Sequence, residues 1–217
     1  MSTAKPRDFR VIIIGAGPGG LCTAVKLREA GIDDFVVLEK AEGVGGTWWH
    51  NRYPGAECDV KSHLYSFSFE LKTDWSRPFS GQAEILQYLQ HVAKKHGILP
   101  YIRFKHAVRA AHWRDREAIW EVKNSDDRIF RAPIVVSGMG MFNELVWPAI
   151  EGLDQFGGML FHSARWNHAH ALTGKRVAVI GSAASAVQFV PKVAAQTAQL
   201  HLFQRTANWI ATKEDTP

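Results

Sequence analysis

Two glycine-rich turns in the sequence have the residue types and spacing that hold nucleotide phosphates. The first carries the pattern G-x-G-x-x-G at Gly15, Gly17 and Gly20, between an apolar run and residues that suit a helix. In that context the first glycine permits a tight turn, the second lets a pyrophosphate approach, and the third lets helix and strand pack closely. The start of the helix adds free N–H groups and a partial positive charge. We therefore predict a dinucleotide site at this turn.

A second turn of the same kind begins at Gly181, after another short apolar run. Its candidate binding residues are Ser182, Ser185 and Ala186. Ala183 stands where the second glycine normally clears space, and we expect its methyl group to hold a pyrophosphate farther out or to weaken binding. A structural corner between strand and helix, without a ligand, remains an alternative here.

The residues that follow the two turns at equal distance carry opposite charges. Glu39 lies 24 positions after Gly15, and Arg205 lies 24 positions after Gly181. A carboxylate can accept hydrogen bonds from a ribose 2'-OH but repels a 2'-phosphate, whereas arginine pairs with that phosphate in bidentate fashion. We therefore expect a cofactor with a free 2'-OH at the first turn and NADPH at the second.

The periodicity of apolar residues predicts an α/β domain of the Rossmann type. Residues 21–30 have the apolar stripe of a helix, and short apolar runs indicate strands buried on both faces of a parallel sheet. These predicted strands are residues 9–14, 35–38 and 134–136. Residues 41–79 show no sustained period, and an irregular segment of that length is typical of a functional loop.

The rest of the chain predicts a small antiparallel insertion and the start of a second domain. Ser80 is expected to cap a helix that ends near residues 96–97. The insertion is expected from short strand candidates at residues 102–104, 107–113, 118–123 and 129–130. A second βαβ unit is predicted from a strand at 176–181, a helix at 183–195 and a strand at 200–203.

Composition excludes several classes of protein. The 217 residues are 46% hydrophobic and 22% charged, as in an ordinary globular chain, and the net charge is +5. The basic residues are scattered, so we expect no nucleic-acid partner, and because no apolar run is long enough for a membrane span we expect no membrane partner. Cys22 and Cys58 form no close pair or zinc set, which fits a reducing compartment and favours the cytoplasm.

Further segments resemble flavin-dependent monooxygenases with two dinucleotide sites, and most closely the Baeyer-Villiger branch. Residues 156–166 match the family fingerprint F-x-G-x-x-x-H-x-x-x-W through Phe156, Gly158, His162 and Trp166. The other matching segments are residues 45–48, 52–59, 62–67 and 204–206. The tryptophan that ends the fingerprint favours the Baeyer-Villiger branch over the sister amine and sulfur oxygenases.

The resemblance implies FAD at the first turn, NADPH at the second, and roles for residues beyond the turns. Thr47 and Trp48, which follow Gly46, would contact the flavin, and Tyr65 would approach it from the same long loop. Val108 would hold the adenine through its backbone. These contacts imply an FAD-binding domain over residues 1–146, a linker over 147–172, and the first part of an NADPH-binding domain over 173–217.

The resemblance also suggests one catalytic residue and further contacts to NADPH. Asp59 would lie at the flavin–nicotinamide junction and position a cationic partner, which in the family is an arginine from a later part of the chain. Arg205 and Thr206 would clasp the 2'-phosphate. His162 would couple domain position to cofactor state without reacting itself. No spacing of histidines or cysteines indicates a metal site.

By the same resemblance, the reaction would insert one oxygen atom from O2 into a ketone through a peroxyflavin, giving an ester or lactone. Family members are longer, so this sequence is expected to be an N-terminal half that binds FAD weakly and does not turn over alone, and a C-terminal half chain is one candidate partner. A disulfide reductase would need a close cysteine pair. A non-catalytic nucleotide-binding or interaction module remains an alternative.

Overall fold

The computed structural model describes residues 8–213, and these form two compact units. The first unit has residues 8–49 and 86–144, and the second has residues 50–85 and 145–213. The sequence did not indicate that residues 50–85 group with the later segment. The domain boundaries expected from the sequence remain predictions.

Nine strands and four α-helices make up the regular structure of residues 8–213, apart from short 3-10 turns. The strands are β1 (Val11–Ile14), β2 (Phe35–Leu38), β3 (Ile102–Arg103), β4 (Val108–Arg114), β5 (Ile119–Asn124), β6 (Ile129–Ala132), β7 (Ile134–Ser137), β8 (Arg176–Ile180) and β9 (Gln199–Phe203). The helices are α1 (Pro18–Glu29), α2 (Thr47–His50), α3 (Gln82–Lys95) and α4 (Ala184–Ala194).

A four-stranded parallel sheet with the order β3-β2-β1-β7 carries the first turn. Every residue of β1 and β2 is buried, which is why these strands consist of Val, Ile, Leu and Phe. The prediction that residues 134–136 are buried on both faces is wrong, since Ile134 of the edge strand β7 is 49% exposed. Ile14 pairs with Leu38 on one side and with Ser137 on the other, so the carboxyl ends of three strands lie side by side. In α/β folds this edge of the sheet is where ligands bind.

Helix α1 begins at Pro18, three residues before the start predicted at Leu21. The glycines after Gly17 suggested a longer turn, but proline at the first helical position already has the φ angle that a helix needs and lacks only an N–H that would have no intrahelical partner. The helix therefore starts inside the glycine motif. Its first backbone groups lie directly at the turn.

The predicted insertion is a three-stranded antiparallel sheet with the order β4-β5-β6. The candidate at 102–104 is not part of it, because β3 pairs in parallel with β2. Its buried residues Val122 and Ala132 join the same apolar cluster as Ile12, Ile14, Val36 and Leu38 of the parallel sheet. The turn between β5 and β6 depends on Asn124, whose side-chain oxygen accepts hydrogen bonds from the N–H groups of Asp126 and Arg128. One core thus supports both sheets of the first unit.

The prediction that Ser80 caps α3 is wrong. The helix begins at Gln82, and Gly81 provides the carbonyl that accepts the first helical hydrogen bond. The Ser80 hydroxyl instead lies 2.6 Å from that of Ser62, and the Ser80 N–H donates to the same Ser62 oxygen over 2.9 Å. These hydrogen bonds hold Ser62 of the long loop next to Ser80, close to the start of α3.

The second unit contains β8, α4 and β9, with the two strands pairing in parallel. Its apolar cluster unites residues of this βαβ element with two residues of the long loop, Tyr53 and Ala56. The linker contains two short 3-10 turns, Leu153–Gln155 and Ser163–Arg165. Across residues 8–213, no helix combines the length and the apolar content needed to cross a membrane.

Candidate nucleotide sites

Close packing explains two of the three glycines of the first turn. Gly15 has φ +97°, and a Cβ built there would lie 2.6 Å from the carbonyl oxygen of Gly138. A Cβ on Gly20 would lie 1.8 Å from the carbonyl oxygen of Gly15. Any side chain at either position would force the strand, the turn and the helix apart.

The remaining glycine of the motif, Gly17, packs on a second segment at the same turn. A Cβ on Gly46 would lie 2.9 Å from the Gly17 Cα, and the Gly45 N–H donates to the Ala16 carbonyl over 3.0 Å. The structure therefore brings the 45–48 segment, predicted to contact the flavin, onto the phosphate turn. Within it, Trp48 is buried.

Glu39 directly follows β2 and is only 5% exposed. One carboxylate oxygen accepts the Ala16 N–H over 2.6 Å, and the other accepts the Ala41 N–H over 2.7 Å. A carboxylate has about four lone-pair directions, so each oxygen can still accept another hydrogen bond. The structure thus places this acid against the first turn, and its contact with a ribose remains a prediction.

The backbone of the first turn fits a dinucleotide. Among the described residues, no side chain caps α1, so its first N–H groups are open to an external acceptor. The predicted adenine contact, Val108, packs on the cluster that includes Ile14 and Leu38, the last residues of β1 and β2. The first unit therefore brings together a glycine-rich turn, free helix N–H groups and Glu39, the acid predicted to contact a ribose.

The second turn has nearly the same backbone geometry as the first. Gly181 has φ +103°, close to the +97° of Gly15. Ala183 at the helix start has φ −74° and ψ −176°, and Gly17 at the equivalent place has φ −78° and ψ −173°. Alanine adopts these angles without strain, so the substitution at this position changes side-chain volume and leaves the backbone alone.

The strand register places Arg205 at the second turn. Ile180 pairs with Phe203, and the Gly181 N–H donates to the Phe203 carbonyl over 2.8 Å. The chain therefore leaves β9 beside the point where Gly181 begins the turn, and Arg205 and Thr206 are exposed there. Their pairing with a 2'-phosphate remains a prediction.

Asn208 belongs to the second turn, although no sequence motif pointed to it. Its side-chain nitrogen donates to the carbonyl oxygen of Ser182 over 2.5 Å and lies 3.2 Å from the Ser182 hydroxyl. Of the other predicted residues on α4, Ala186 is buried and Ser185 is half-buried. The proximity of Asn208 to Arg205 and Thr206 in the sequence was the only available signal.

Asp59, the predicted catalytic residue, belongs to the second unit, as does Tyr65. The Asp59 side chain is 67% exposed. One of its carboxylate oxygens accepts a hydrogen bond from the Gln188 amide nitrogen over 3.2 Å and lies 3.9 Å from the Lys213 ammonium nitrogen. The roles of Asp59 and Tyr65 at a flavin remain predictions.

The loop segment that carries Asp59 is held by polar contacts that sequence reasoning did not find. Arg77 donates to a carboxylate oxygen of Glu57 over 2.6 Å, and Lys213 donates to the other oxygen. Tyr53 of the same segment is buried, and this burial is the main reason its phenol pKa is raised. The partners lie far along the chain, and no spacing rule identifies them.

The fingerprint residues make local contacts within the second unit. The Phe156 ring lies over Gly158, where a Cβ would come within 2.7 Å of two ring carbons. Trp166 packs on Phe189 of α4, with ring centroids 5.3 Å apart. The fingerprint thus ties the linker to α4.

His162 caps the second 3-10 turn of the linker. Its Nδ1 accepts the Ala164 N–H over 3.1 Å, and its ring meets Trp147 edge-on. Burial, and to a lesser extent the charge of Arg165, lower the pKa of His162 below its ordinary value. Its predicted coupling of domain position to cofactor state remains a prediction.

A family model described as pyridine nucleotide-disulphide oxidoreductase matches residues 12–217. A Baeyer-Villiger monooxygenase of Streptomyces coelicolor is 49% identical over 206 residues, which cover 95% of this chain and 40% of that protein. The chain therefore spans about 40% of the length of this curated relative. Both cysteines of the chain are free thiols, Cys58 buried and Cys22 half-buried.

Two solved structures show the same fold. A steroid monooxygenase bound to NADP is 39% identical with a TM-score of 0.89, over 96% of this chain and 41% of that one. The OTEMO complex with FAD and NADP is 33% identical with a TM-score of 0.91, over 98% of this chain and 42% of that one. The predicted Rossmann-like fold and the resemblance to Baeyer-Villiger monooxygenases are therefore confirmed. The chain belongs to the pyridine nucleotide-disulphide oxidoreductase family, and within it is similar to the flavin-dependent monooxygenases of the Baeyer-Villiger type.

Proposed function

We propose that this chain is part of an FAD- and NADPH-dependent monooxygenase that inserts one oxygen atom from O2 into a ketone, giving an ester or a lactone. The observation that carries the proposal is a pair of turns with matching backbone angles and opposite charges, Glu39 at one and Arg205 at the other. The name of the Streptomyces relative supports this reaction class. Because the chain spans about 40% of that relative, the activity is proposed for the whole protein.

In this proposal the first turn binds FAD. Bound FAD supplies the redox chemistry, namely hydride acceptance from NADPH and reaction with O2. The N–H groups at the start of α1 hold its pyrophosphate. Gly17 and Gly46, which pack closely at this turn, carry no side chains that would keep the phosphates away from the backbone. Glu39 uses a remaining lone pair to accept from a ribose hydroxyl. Thr47, Trp48 and Tyr65 contact the flavin, and Val108 holds the adenine.

The second turn binds NADPH in the same proposal. Gly181, Ser182 and Ser185 surround its pyrophosphate, while Arg205 and Thr206 hold the 2'-phosphate through charge-assisted hydrogen bonds. These bonds select NADPH over NADH. The methyl group of Ala183 weakens the pyrophosphate contact without preventing the 2'-phosphate contact.

Asp59 acts at the reacting centre. Its carboxylate is exposed, so it can hold a cationic partner close to the negative charge that develops during oxygen transfer. Charge stabilisation of this kind is effective only where the groups are fixed before the reaction begins. The contacts that fix Asp59 are therefore part of the proposed mechanism.

The visible spectrum of the purified chain tests the proposal. Oxidised flavin absorbs at about 450 nm, and because binding is expected to be weak, we expect a protein fraction kept in equilibrium with FAD to show a stronger band than the FAD-containing buffer. We expect no NADPH-dependent oxygen uptake with a panel of ketones from the 217-residue chain alone. A folded protein whose fraction holds no more FAD than the buffer contradicts FAD binding and favours the non-catalytic module. Robust turnover contradicts the proposal that the reaction needs the whole protein.

A further inference from the structure

Gln188 connects helix α4 to residues 53–59 of the long loop, the segment that carries Asp59. Its side-chain oxygen accepts from the Tyr53 hydroxyl over 3.0 Å and from the Glu57 N–H over 3.3 Å. Its side-chain nitrogen donates to the Glu57 carbonyl over 3.0 Å and to an Asp59 carboxylate oxygen over 3.2 Å. A primary amide has two lone pairs and two N–H groups, so the segment occupies its full hydrogen-bonding capacity.

Gly55 shows that the same segment also packs directly on the backbone of α4. It has φ +81°, and a Cβ there would lie 2.8 Å from the carbonyl oxygen of Gln188. The Tyr53 ring meets the Phe189 ring edge-on, with centroids 5.9 Å apart. Packing therefore brings the segment to the helix, and the Gln188 amide sets its register there.

Other contacts fix the neighbouring residues but leave the Asp59 carboxylate with few restraints. Glu57 is held by Arg77 and Lys213. Asp59 itself is 67% exposed, and its hydrogen bond with Gln188 is shorter than its 3.9 Å approach to Lys213. Burial therefore does not determine where this carboxylate lies.

We propose that Gln188 is a positioning residue that fixes the Asp59 carboxylate on α4 and so ties it to the second nucleotide turn. Gln188 lies one helical turn after Ala184, where α4 begins, so the helix carries the turn and the amide as one rigid element. A nucleotide that orders the start of α4 thereby also steadies the Asp59 segment. This inference rests on the proposed function, since the catalytic part of Asp59 belongs to that proposal.

The alkylation rate of Cys58 provides a direct test. Cys58 lies inside the segment, is buried, and has a thiol pKa raised mainly by that burial, so it should react slowly with iodoacetamide. Cys22, on α1 in the first unit, is measured in the same sample by mass spectrometry as an internal standard. We expect Gln188→Met, which keeps the side-chain volume but removes the hydrogen bonds, to raise the ratio of Cys58 to Cys22 alkylation roughly tenfold.

Three further variants separate positioning from packing and from general destabilisation. Gln87→Met makes the same exchange at an exposed position of α3 and should leave the ratio unchanged. Gly55→Ala disturbs the contact from the loop side and should raise the ratio. Tyr53→Phe removes one donor, and in a double-mutant cycle its effect should be non-additive with that of Gln188→Met, because the two side chains share a hydrogen bond.

The effect of NADPH on Cys58 alkylation is a second measurement, which a purely structural role of Gln188 would not change. We expect NADPH to slow Cys58 alkylation in the unaltered chain and to have little effect in Gln188→Met, because the connection to α4 has been cut. If NADPH changes neither protein while Gln188→Met still exposes Cys58, the positioning stands and NADPH binding by the chain fails. An unchanged Cys58 rate in a folded Gln188→Met variant overturns the inference, as does full additivity in the cycle.

Discussion

Arg205 and Glu39 are predicted to play matching parts at the two turns, but their surroundings differ. Glu39 is buried, and two backbone N–H groups orient its oxygens at the turn. Arg205 is exposed, and its place at the second turn follows from the pairing of Ile180 with Phe203. An exposed guanidinium can be removed with little effect on folding, so Arg205 is the better residue for mutation.

We expect Arg205→Ala to weaken NADPH binding roughly ten- to a hundredfold, because a charge-assisted contact to the 2'-phosphate is lost. NADH lacks that phosphate, so its affinity should change little. Fluorescence titration with both nucleotides measures the difference. Arg128→Ala, an exposed arginine in the β5–β6 turn, is the matched control. Equal losses for NADPH and NADH would contradict the assignment.

His162 makes the stability of the linker depend on pH. The folded structure lowers its pKa below the ordinary 6.5, so the unfolded chain binds more protons in the interval between the two values. The stabilisation is therefore complete above about pH 6.5 and is lost as the pH falls through the folded pKa. Protonated Nδ1 can no longer accept the Ala164 N–H.

The variant His162→Asn keeps an acceptor at this position but does not titrate. We expect the free energy of unfolding of the unaltered protein to fall more steeply than that of His162→Asn between about pH 7 and pH 5.5. Chemical denaturation at several pH values provides the measurement. His168→Asn, exposed in the same linker, should retain the steep dependence. Parallel curves for the unaltered protein and His162→Asn would refute this account.

At the scale of elements, α4 is the central support of the second unit. Phe189 is buried and contacts both Trp166 of the linker and Tyr53 of the loop. We expect Phe189→Ala to reduce the free energy of unfolding of this unit by about 3–5 kcal/mol, since a large buried ring is replaced by a cavity. Val187→Ala removes an exposed side chain from the same helix and should have a small effect. Urea unfolding followed by tryptophan fluorescence compares the two.

The sequence predicted β1 and β2 well because burial on both faces requires continuous runs of β-branched residues, as in β1. It predicted the two edge strands less well, because β3 was expected in the antiparallel insertion and β7 was expected to be buried on both faces. Helix starts were predicted less well. Local polarity suggested Ser80 as a cap, but a long-range contact with Ser62 takes its hydroxyl. Local glycines suggested a longer turn before α1, although Pro18 allows the helix to start. In each case a neighbour in space or a backbone angle decided the outcome.

The residues of the candidate sites also fall into two groups, those that local spacing predicts and those that depend on partners far away in the sequence. The two turns could be predicted because their glycines act within a few residues of one another. Gln188 could not, because its partners Tyr53 and Asp59 lie 135 and 129 positions away in the sequence. Lys213 and Arg77, which converge on Glu57, gave no spacing signal either. Such contacts depend on how the loop folds back, which periodicity does not describe.

For the molecule as a whole, the two units combine segments that are separated in the sequence. The first unit is interrupted by residues 50–85, and these complete the core of the second unit through Tyr53 and Ala56. The segment with the proposed catalytic acid therefore shares a core with the βαβ element of the second turn. A substitution in that core will affect both the acid and the nucleotide turn, and additivity should not be assumed between them.

In the proposed NADPH site, Ala183 offers protein engineers a way to adjust NADPH affinity separately from folding. Its backbone angles already match those of Gly17. Replacing Ala183 with glycine at this exposed position therefore removes one methyl group and requires no rearrangement of the helix start. Evolution of the second turn could proceed by the same single step in either direction. The strength of the proposed NADPH contact can thus vary among related proteins whose scaffold stays constant.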